Sequence, residues 1–246
     1  MYYSISTSLS FREVWYNIGK RGDFMQNYTI DGDIRTKIPG IRLGMLHYND
    51  VKLSPTPGML KGRINLFLEN MRHDYLDKSV SDVPGIREWR QIFKAVGMDP
   101  SRYRPSSEAL MRRVLQNKPL HWIHTGVDVN TFLSLQFGLP AGLYNRDCIE
   151  GDVTLRLGRE NETYEGLNGR DIACTGKLVL ADAKGPFGSP FVDSVRTSVA
   201  EDATQLLHVF FIYPEFGRWT DEQLLRSAGD MFTHINGGDY EILPAP

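Results

Sequence analysis

Two adjacent side chains in the middle of the chain have the chemistry to hold a reacting carbonyl. Asn130 and Thr131 follow the turn Val127-Asp128-Val129 and open the segment VDVNTFLSLQF. Apolar residues at Val129, Phe132, Leu133, Leu135 and Phe137 give that segment one buried helical face. Asp128 is the expected N-cap, and Gly138 with Pro140 behind it is a stop signal. On that reading Asn130 and Thr131 lie in the first turn, where unpaired backbone N–H groups and the positive end of the helix dipole point outward. Two short polar side chains there can hold a carbonyl oxygen or a water against those donors. The same residues equally serve as simple capping groups.

Other candidates lie on strands and turns. His208 sits within the apolar run LLHVFFIY, where it either packs as a satisfied core histidine or reads a polar group on a ligand. Asp182 ends the apolar strand KLVLADA, where it holds a turn or serves a site. His121 and His124 are three apart, but no third ligand has a sensible spacing, so no metal is expected. Cys148 and Cys174 belong to no metal or redox motif and read as inert thiols. No nucleophile elbow, phosphate-binding loop or dinucleotide fingerprint occurs, which leaves covalent serine or cysteine catalysis without support and no cofactor expected.

The elements that must position these residues follow from pattern. Leu60 to Leu76 carries apolar residues at helical spacing. Pro84 opens a second helix with Trp89, Ile92, Phe93 and Val96 as its core stripe, ended near Gly97. Ser106 or Ser107 caps a third, SSEALMRRVLQN. Residues 1–50 read as strands and loops, with a turn at Pro39-Gly40 and IRLGMLHY as a strand. Beyond Gly151 short strands alternate with Gly, Asn and Asp turns: DVTLRLGR, ETYEGL, KLVLADA, RTSV and LLHVFFIY. A final helix runs from the cap Thr220 over 220–233. Helices in the first half and strands in the second argue for an α+β fold.

Bulk composition narrows the function classes. The chain has 246 residues, 41% of them hydrophobic and 24% charged, with a net charge of −2. An overall basic footprint is absent, so nucleic-acid contact requires a local patch, and no DNA partner is expected. Such a patch is available between Pro84 and Leu120, where eight basic residues face three acidic ones. Arg104, Arg112 and Arg113 are its candidate phosphate contacts. Solvated helix faces, with Arg104 or Arg113 paired to Glu108, explain the same residues. Two cysteines suggest a reducing compartment. The N-terminal stretch MYYSISTSLSFREVW lacks a basic n-region and a long apolar run, so no signal peptide, no membrane partner and a cytoplasmic location are expected.

Several blocks resemble a known family. KIPGIRLGML, EWRQIFKAVGMDPSRYRPSSEALMRRVL, VDVNTFLSLQFGLPAGLYNRDCIEGDVTLRL and GKLVLADAKGPFG are similar to the B3/B4 tRNA-editing domain of the phenylalanyl-tRNA synthetase beta subunit, and to stand-alone proteins built from that domain. The likeness spans about residues 39–214, which suggests a B3/B4-like domain occupying 1–246. It implies a β-sandwich-like core with flanking helices and a pocket for an aminoacyl ester. It also implies binding of the tRNA acceptor end with its aminoacyl moiety, and hydrolysis of misacylated tRNA in trans.

Carried over by position, the resemblance places a Thr-Asn pair of the synthetase at Asn130 and Thr131, in reversed order. It places a tyrosine-reading Glu at His208, a His at Gly142, and a glycine pair at Asp193 and Ser194. Arg196 keeps one residue of a Cys-, Arg- and Trp-rich block. Asn130 and Thr131 are then the expected catalytic pair, and His208, Asp182, Asp193, Arg196 and Gly142 the expected substrate contacts. A non-catalytic module that binds tRNA or an amino acid is the alternative.

Overall fold

The computed structural model describes residues 26–246. The N-terminal stretch read above for a leader lies outside the described residues.

Two four-stranded sheets form the centre. The first has the order β1 (Tyr28–Ile30), β4 (Val153–Leu157), β7 (Leu178–Asp182), β8 (Gly185–Gly188). The β1–β4 pair is parallel and the others antiparallel. The second sheet is antiparallel throughout, in the order β10 (Asp239–Ile242), β2 (Arg42–Asn49), β9 (Leu206–Ile212), β3 (Ala141–Asn145). A hairpin of β5 (Thr163–Glu165) and β6 (Asp171–Ala173) stands apart.

Strand β9 is the hub. All seven of its residues are buried, as a continuous apolar run predicts for a strand covered on both faces. Its pairing register sorts those side chains, because directly paired residues point to the same face. Leu206, His208, Phe210 and Ile212 share a face with Tyr48 and Leu46 of β2 and Leu143 of β3. Helices cover that face: α5 (Thr125–Phe137) sets Phe137 on Phe210, and α6 (Asp221–Asn236) stacks Phe232 on Tyr48 at 4.1 Å between ring centres. Leu207, Val209 and Phe211 point the other way, with Met45, His47, Gly142 and Tyr144. That face meets the first sheet, where Tyr144 abuts Phe187 of β8 and His47 abuts Tyr28 of β1. Trp89 of α3 (Ile86–Ala95) closes it against Phe211. Each such fully buried side chain contributes about 1.5–3 kcal/mol by area.

Helices α2 (Gly58–Asp74) and α4 (Ser106–Leu115) pack beside this core around Ile64, Leu68, Ile86 and Met111. The α+β architecture is the one the pattern implied, and the paired sheets with flanking helices are what the resemblance implied.

Two local expectations are corrected and one strand is added. A short helix α1 (Gly32–Lys37), capped by Asp31, occupies a region read as strands and loops. RTSV is a 3-10 turn at Val195–Thr197, not a strand. A strand, β10, follows the last helix and pairs with β2; Gly229 lets the Tyr240 ring lie 2.5 Å from where a β-carbon would stand.

Candidate functional site

Helix α5 starts four residues earlier than its pattern suggested, and this changes what its tip can do. The N-cap is His124, not Asp128. The buried imidazole donates from Nε2 to Val199 O at 3.0 Å and accepts the Val127 N–H on Nδ1 at 3.4 Å. Ser54 lies across the first turn, taking the Thr125 N–H on its carbonyl and donating its own N–H to Thr125 Oγ1. Asp128, also buried, binds the Thr56 hydroxyl and the Ile123 N–H. The tip is therefore covered by the 54–56 segment, and its Thr125, Val127 and Asp128 N–H groups are already bonded within the protein. Asn130 and Thr131 sit in the second turn, where the backbone offers a ligand nothing.

Asn130 has a different engagement. Its Oδ1 lies 3.0 Å from His208 Nε2, and His208 Nδ1 lies 3.2 Å from the Tyr48 hydroxyl. Burial pushes the imidazole down to about 3, so it is neutral at physiological pH. An amide oxygen only accepts, so the proton sits on Nε2 and Nδ1 accepts from Tyr48. This relay turns the Asn130 amide so that its Nδ2 donors face away from the imidazole, at a half-buried position. His208 itself is wholly buried and has no route to a ligand.

The β-ladder then separates residues that the sequence had grouped. Gly142 pairs with Val209, so Gly142 and His208 point to opposite faces of the sheet. On the inter-sheet side Gly142 meets Tyr144, whose hydroxyl donates to Asp193 Oδ1 at 2.7 Å. Asp193 Oδ1 also takes the Ser189 N–H at 3.2 Å, while Oδ2 has no hydrogen-bond partner among the described residues. The turn that carries Asp193 is held by Ser189 Oγ, which donates to Val192 O and accepts from Phe191 N and Val192 N. Tyr164 adds its hydroxyl to the same turn. Dense packing pushes the Asp193 carboxyl up to about 7, although its residue keeps an edge open to solvent. A largely buried carboxyl raised to about 7, with one oxygen anchored and one free, is equipped for proton transfer or for gripping an ammonium.

Asp182 and Arg196 bind each other. The carboxylate, fully buried, takes both Arg196 nitrogens at 3.0 and 2.9 Å, plus the Glu150 and Lys184 N–H groups. Arg196 also donates to Cys148 O and Gly185 O. This clamp ties the β7–β8 hairpin to the 3-10 turn and commits the Asp182 carboxylate and both Arg196 terminal nitrogens to the protein's own frame. An open groove of about 380 Å³ runs over the outer face beside it, past Asp31, Thr154 and Arg156, but Arg156 is bound bidentately by Glu162.

The basic strip is reduced in the same way. Glu108 is buried and holds Arg90 and Arg112, not Arg104 or Arg113. Arg113 donates to Pro119 O. Arg104 is exposed, as are Lys94 and Arg102 nearby. Arg102 and Lys177 both stand over the ring of Tyr103, which abuts Phe191 at the start of the Asp193 turn. A cationic, aromatic rim thus borders Asp193.

Tyr144, Ser189, Tyr164 and Tyr103 escaped the sequence reading. The available signal was weak: a Tyr two residues after Gly142 shares its face on any strand. Among the described residues no group of three or more His, Cys, Asp or Glu side chains could hold a metal, and no helix is long and apolar enough to cross a membrane.

Comparison with known proteins supplies the context. The model of the B3/4 domain matches residues 88–233. The uncharacterized protein YhzB of Bacillus subtilis (strain 168) is 24% identical over 217 residues, which is 88% of this chain and 98% of YhzB. The phenylalanine–tRNA ligase beta subunit of Neisseria meningitidis serogroup A is 27% identical over 135 residues. That match takes in 54% of this chain but only 17% of the ligase subunit. An N-terminal fragment of the phenylalanyl-tRNA synthetase beta-subunit from Pyrococcus horikoshii aligns with a TM-score of 0.41 and 9% identity, over 88% of this chain and 50% of that one.

Proposed function

The chain belongs to the B3/4 domain family, and from that membership we propose that it binds tRNA at the acceptor end and hydrolyses misacylated aminoacyl-tRNA esters in trans. The tRNA side of this reading is supported by relatives that are tRNA ligase beta subunits. The observation that carries the hydrolytic side is Asp193: a carboxyl raised to about 7, anchored through one oxygen by Tyr144 and free at the other.

An aminoacyl ester is already activated, so the site has little chemistry to supply beyond placing a water and moving one proton. Asp193 Oδ2 takes a proton from water as the water oxygen bonds to the acyl carbon. The bond from that carbon to the ribose oxygen then breaks, and the proton passes from Asp193 to the leaving oxygen. The products are a free amino acid and an uncharged 3′ end. Tyr144 holds Oδ1 still throughout. Arg104, with Lys94 and Arg102, meets the phosphates, and Tyr103 offers a ring to the terminal base. Asn130 and Thr131 stay in the proposal as polar contacts to the RNA, since the sealed helix tip removes the oxyanion role. Deacylation of a panel of mischarged tRNAs by wild type, Asp193→Asn and Thr131→Ala tests the reading. Turnover lost in Asp193→Asn and kept in Thr131→Ala is expected; no turnover on any tRNA ends it.

The sealed start of α5 favours one alternative, a module that binds tRNA without cleaving it. Undiminished tRNA affinity in a protein that hydrolyses none of the panel selects that alternative.

A further inference from the structure

Tyr144 occupies an unusual place. Its side chain is fully buried between the sheets. A β-carbon on Gly142 would stand 2.1 Å from its hydroxyl oxygen, and one on Gly188 would stand 2.4 Å away. Both positions therefore carry no side chain, and the phenol end fills the space between them. The ring meets Phe187 edge-on, with centres 5.1 Å apart and an interplanar angle of 88°. The hydroxyl reaches Asp193 Oδ1. Two bare backbone positions, an aromatic wall and a carboxyl acceptor make a slot shaped for a phenol, and the chain fills that slot with a residue of its own.

We infer that Tyr144 is the specificity-determining residue of the Asp193 site: by filling the glycine-walled slot it restricts the site to aminoacyl groups with small side chains and excludes aromatic ones. The inference rests on the reading that Asp193 faces the aminoacyl group. A ligand approaching from the open edge of Asp193 finds only Oδ2 unoccupied. That oxygen is left to the attacking water, and a small side chain asks for no further room, whereas a ring would have to displace the Tyr144 phenol, break its bond to Asp193 and open a close-packed interior. Val209, directly opposite Gly142 on the ladder, adds no polar group that would recompense a larger side chain.

The test uses alanyl- and tyrosyl-adenosine joined by an amide in place of the ester, titrated into wild type, Tyr144→Leu and Tyr144→Phe, with thermal unfolding to check each fold. Wild type and Tyr144→Phe, which keeps the ring, are expected to prefer the alanyl analogue by about tenfold or more, the scale of steric discrimination in an apolar pocket. Tyr144→Leu, which empties the far end of the slot, is expected to lose or invert that preference. Equal or tighter binding of the tyrosyl analogue to wild type overturns the inference and needs no variant to be folded. An unchanged preference in folded Tyr144→Leu, or no binding of either analogue to wild type, also overturns it. The predicted preference without cleavage of any mischarged tRNA removes the hydrolytic reading and keeps the inference. Turnover by wild type that is as fast on tyrosyl- as on alanyl-tRNA does the reverse.

Discussion

The hydroxyl of Tyr144 and the carboxyl of Asp193 are 2.7 Å apart across the gap between the two sheets, and the hydroxyl lies within 2.4 Å of the β-carbon sites of both Gly142 and Gly188. Neither glycine has a positive φ, so neither is required by its backbone conformation. What holds them is the phenol. A methyl group at either place drives the ring out of a packed interior, and overpacking of that kind costs about 1–3 kcal/mol. Gly142→Ala is therefore expected to lower the unfolding free energy, read from urea curves, by that amount. The loss should shrink when Tyr144→Leu is combined with it, since the two changes share one cause. Additive losses in the double variant would sink this account of the slot.

Two buried titratable groups on opposite faces of the second sheet give stability a pH dependence that can be separated. Asp193 is raised to about 7 by burial, above the unfolded value of about 3.9, so the native state binds more protons between those limits. Its contribution to stability therefore falls as pH rises from about 4 to 7. His208 is lowered to about 3, below the unfolded value of about 6.5, so its contribution is present above about 6.5 and is lost as pH falls toward 3. Over the shared window from about 4 to 6.5 the two slopes oppose. Asp193→Asn should remove one of them and leave a steeper loss on acidification, up to about 1.4 kcal/mol per pH unit. Unfolding free energies measured every half unit of pH check it; superimposable slopes in the two proteins would refute it. On the proposed hydrolytic role of Asp193, deacylation rates measured across pH are expected to rise through about 7 in wild type, because the base form is the ionised one.

The Asp182–Arg196 pair is expected to act on stability rather than on substrate. Arg196→Ala strands a carboxylate with no solvent exposure, and losing one partner of a buried pair costs about 3–5 kcal/mol. The protein should then unfold at markedly lower denaturant, while any that remains folded binds tRNA as wild type does. A selective fall in tRNA affinity with unchanged stability would restore Arg196 to the site.

Much of this architecture was legible in the sequence, and the rest failed for identifiable reasons. The run Leu206–Ile212, apolar but for His208, marked a buried strand, and the 3.6-residue spacing of Trp89, Ile92, Phe93 and Val96 marked a core helix. The start of α5 was misplaced because Thr125 and Gly126 look like loop residues, whereas a tertiary contact with Ser54 and a histidine cap extend the helix back to them. Asp128, which resembles a cap, spends its carboxylate on Thr56 and Ile123. The grouping of His208 with Gly142 failed by parity alone. A strand exposes alternate residues to one face, so a shift of one position substitutes Val209 for His208. Arg112 and Arg113 look free in a charge count, because nothing in their spacing shows that Glu108 is buried or that Pro119 turns its carbonyl back.

That difference between free and committed arginines yields a contrast in salt dependence. Arg104, Arg102 and Lys94 are exposed, with Arg102 over the Tyr103 ring, whereas Arg112 neutralises a carboxylate that has no solvent contact. A cation that contacts a phosphate releases about one counterion, so its removal should lower the slope of log K against log salt by about 0.7 for a single strand. Arg104→Ala is expected to weaken tRNA binding and flatten that slope while leaving the unfolding midpoint near wild type. Arg112→Ala is expected to lower the unfolding midpoint, because Glu108 then keeps only Arg90, and to leave the slope intact. Binding isotherms at four or five salt concentrations, paired with denaturant curves, distinguish the two. If Arg112→Ala changes the slope and Arg104→Ala does not, the phosphate path runs over α4 and not past Tyr103, and the placement of the acceptor end beside Asp193 falls with it.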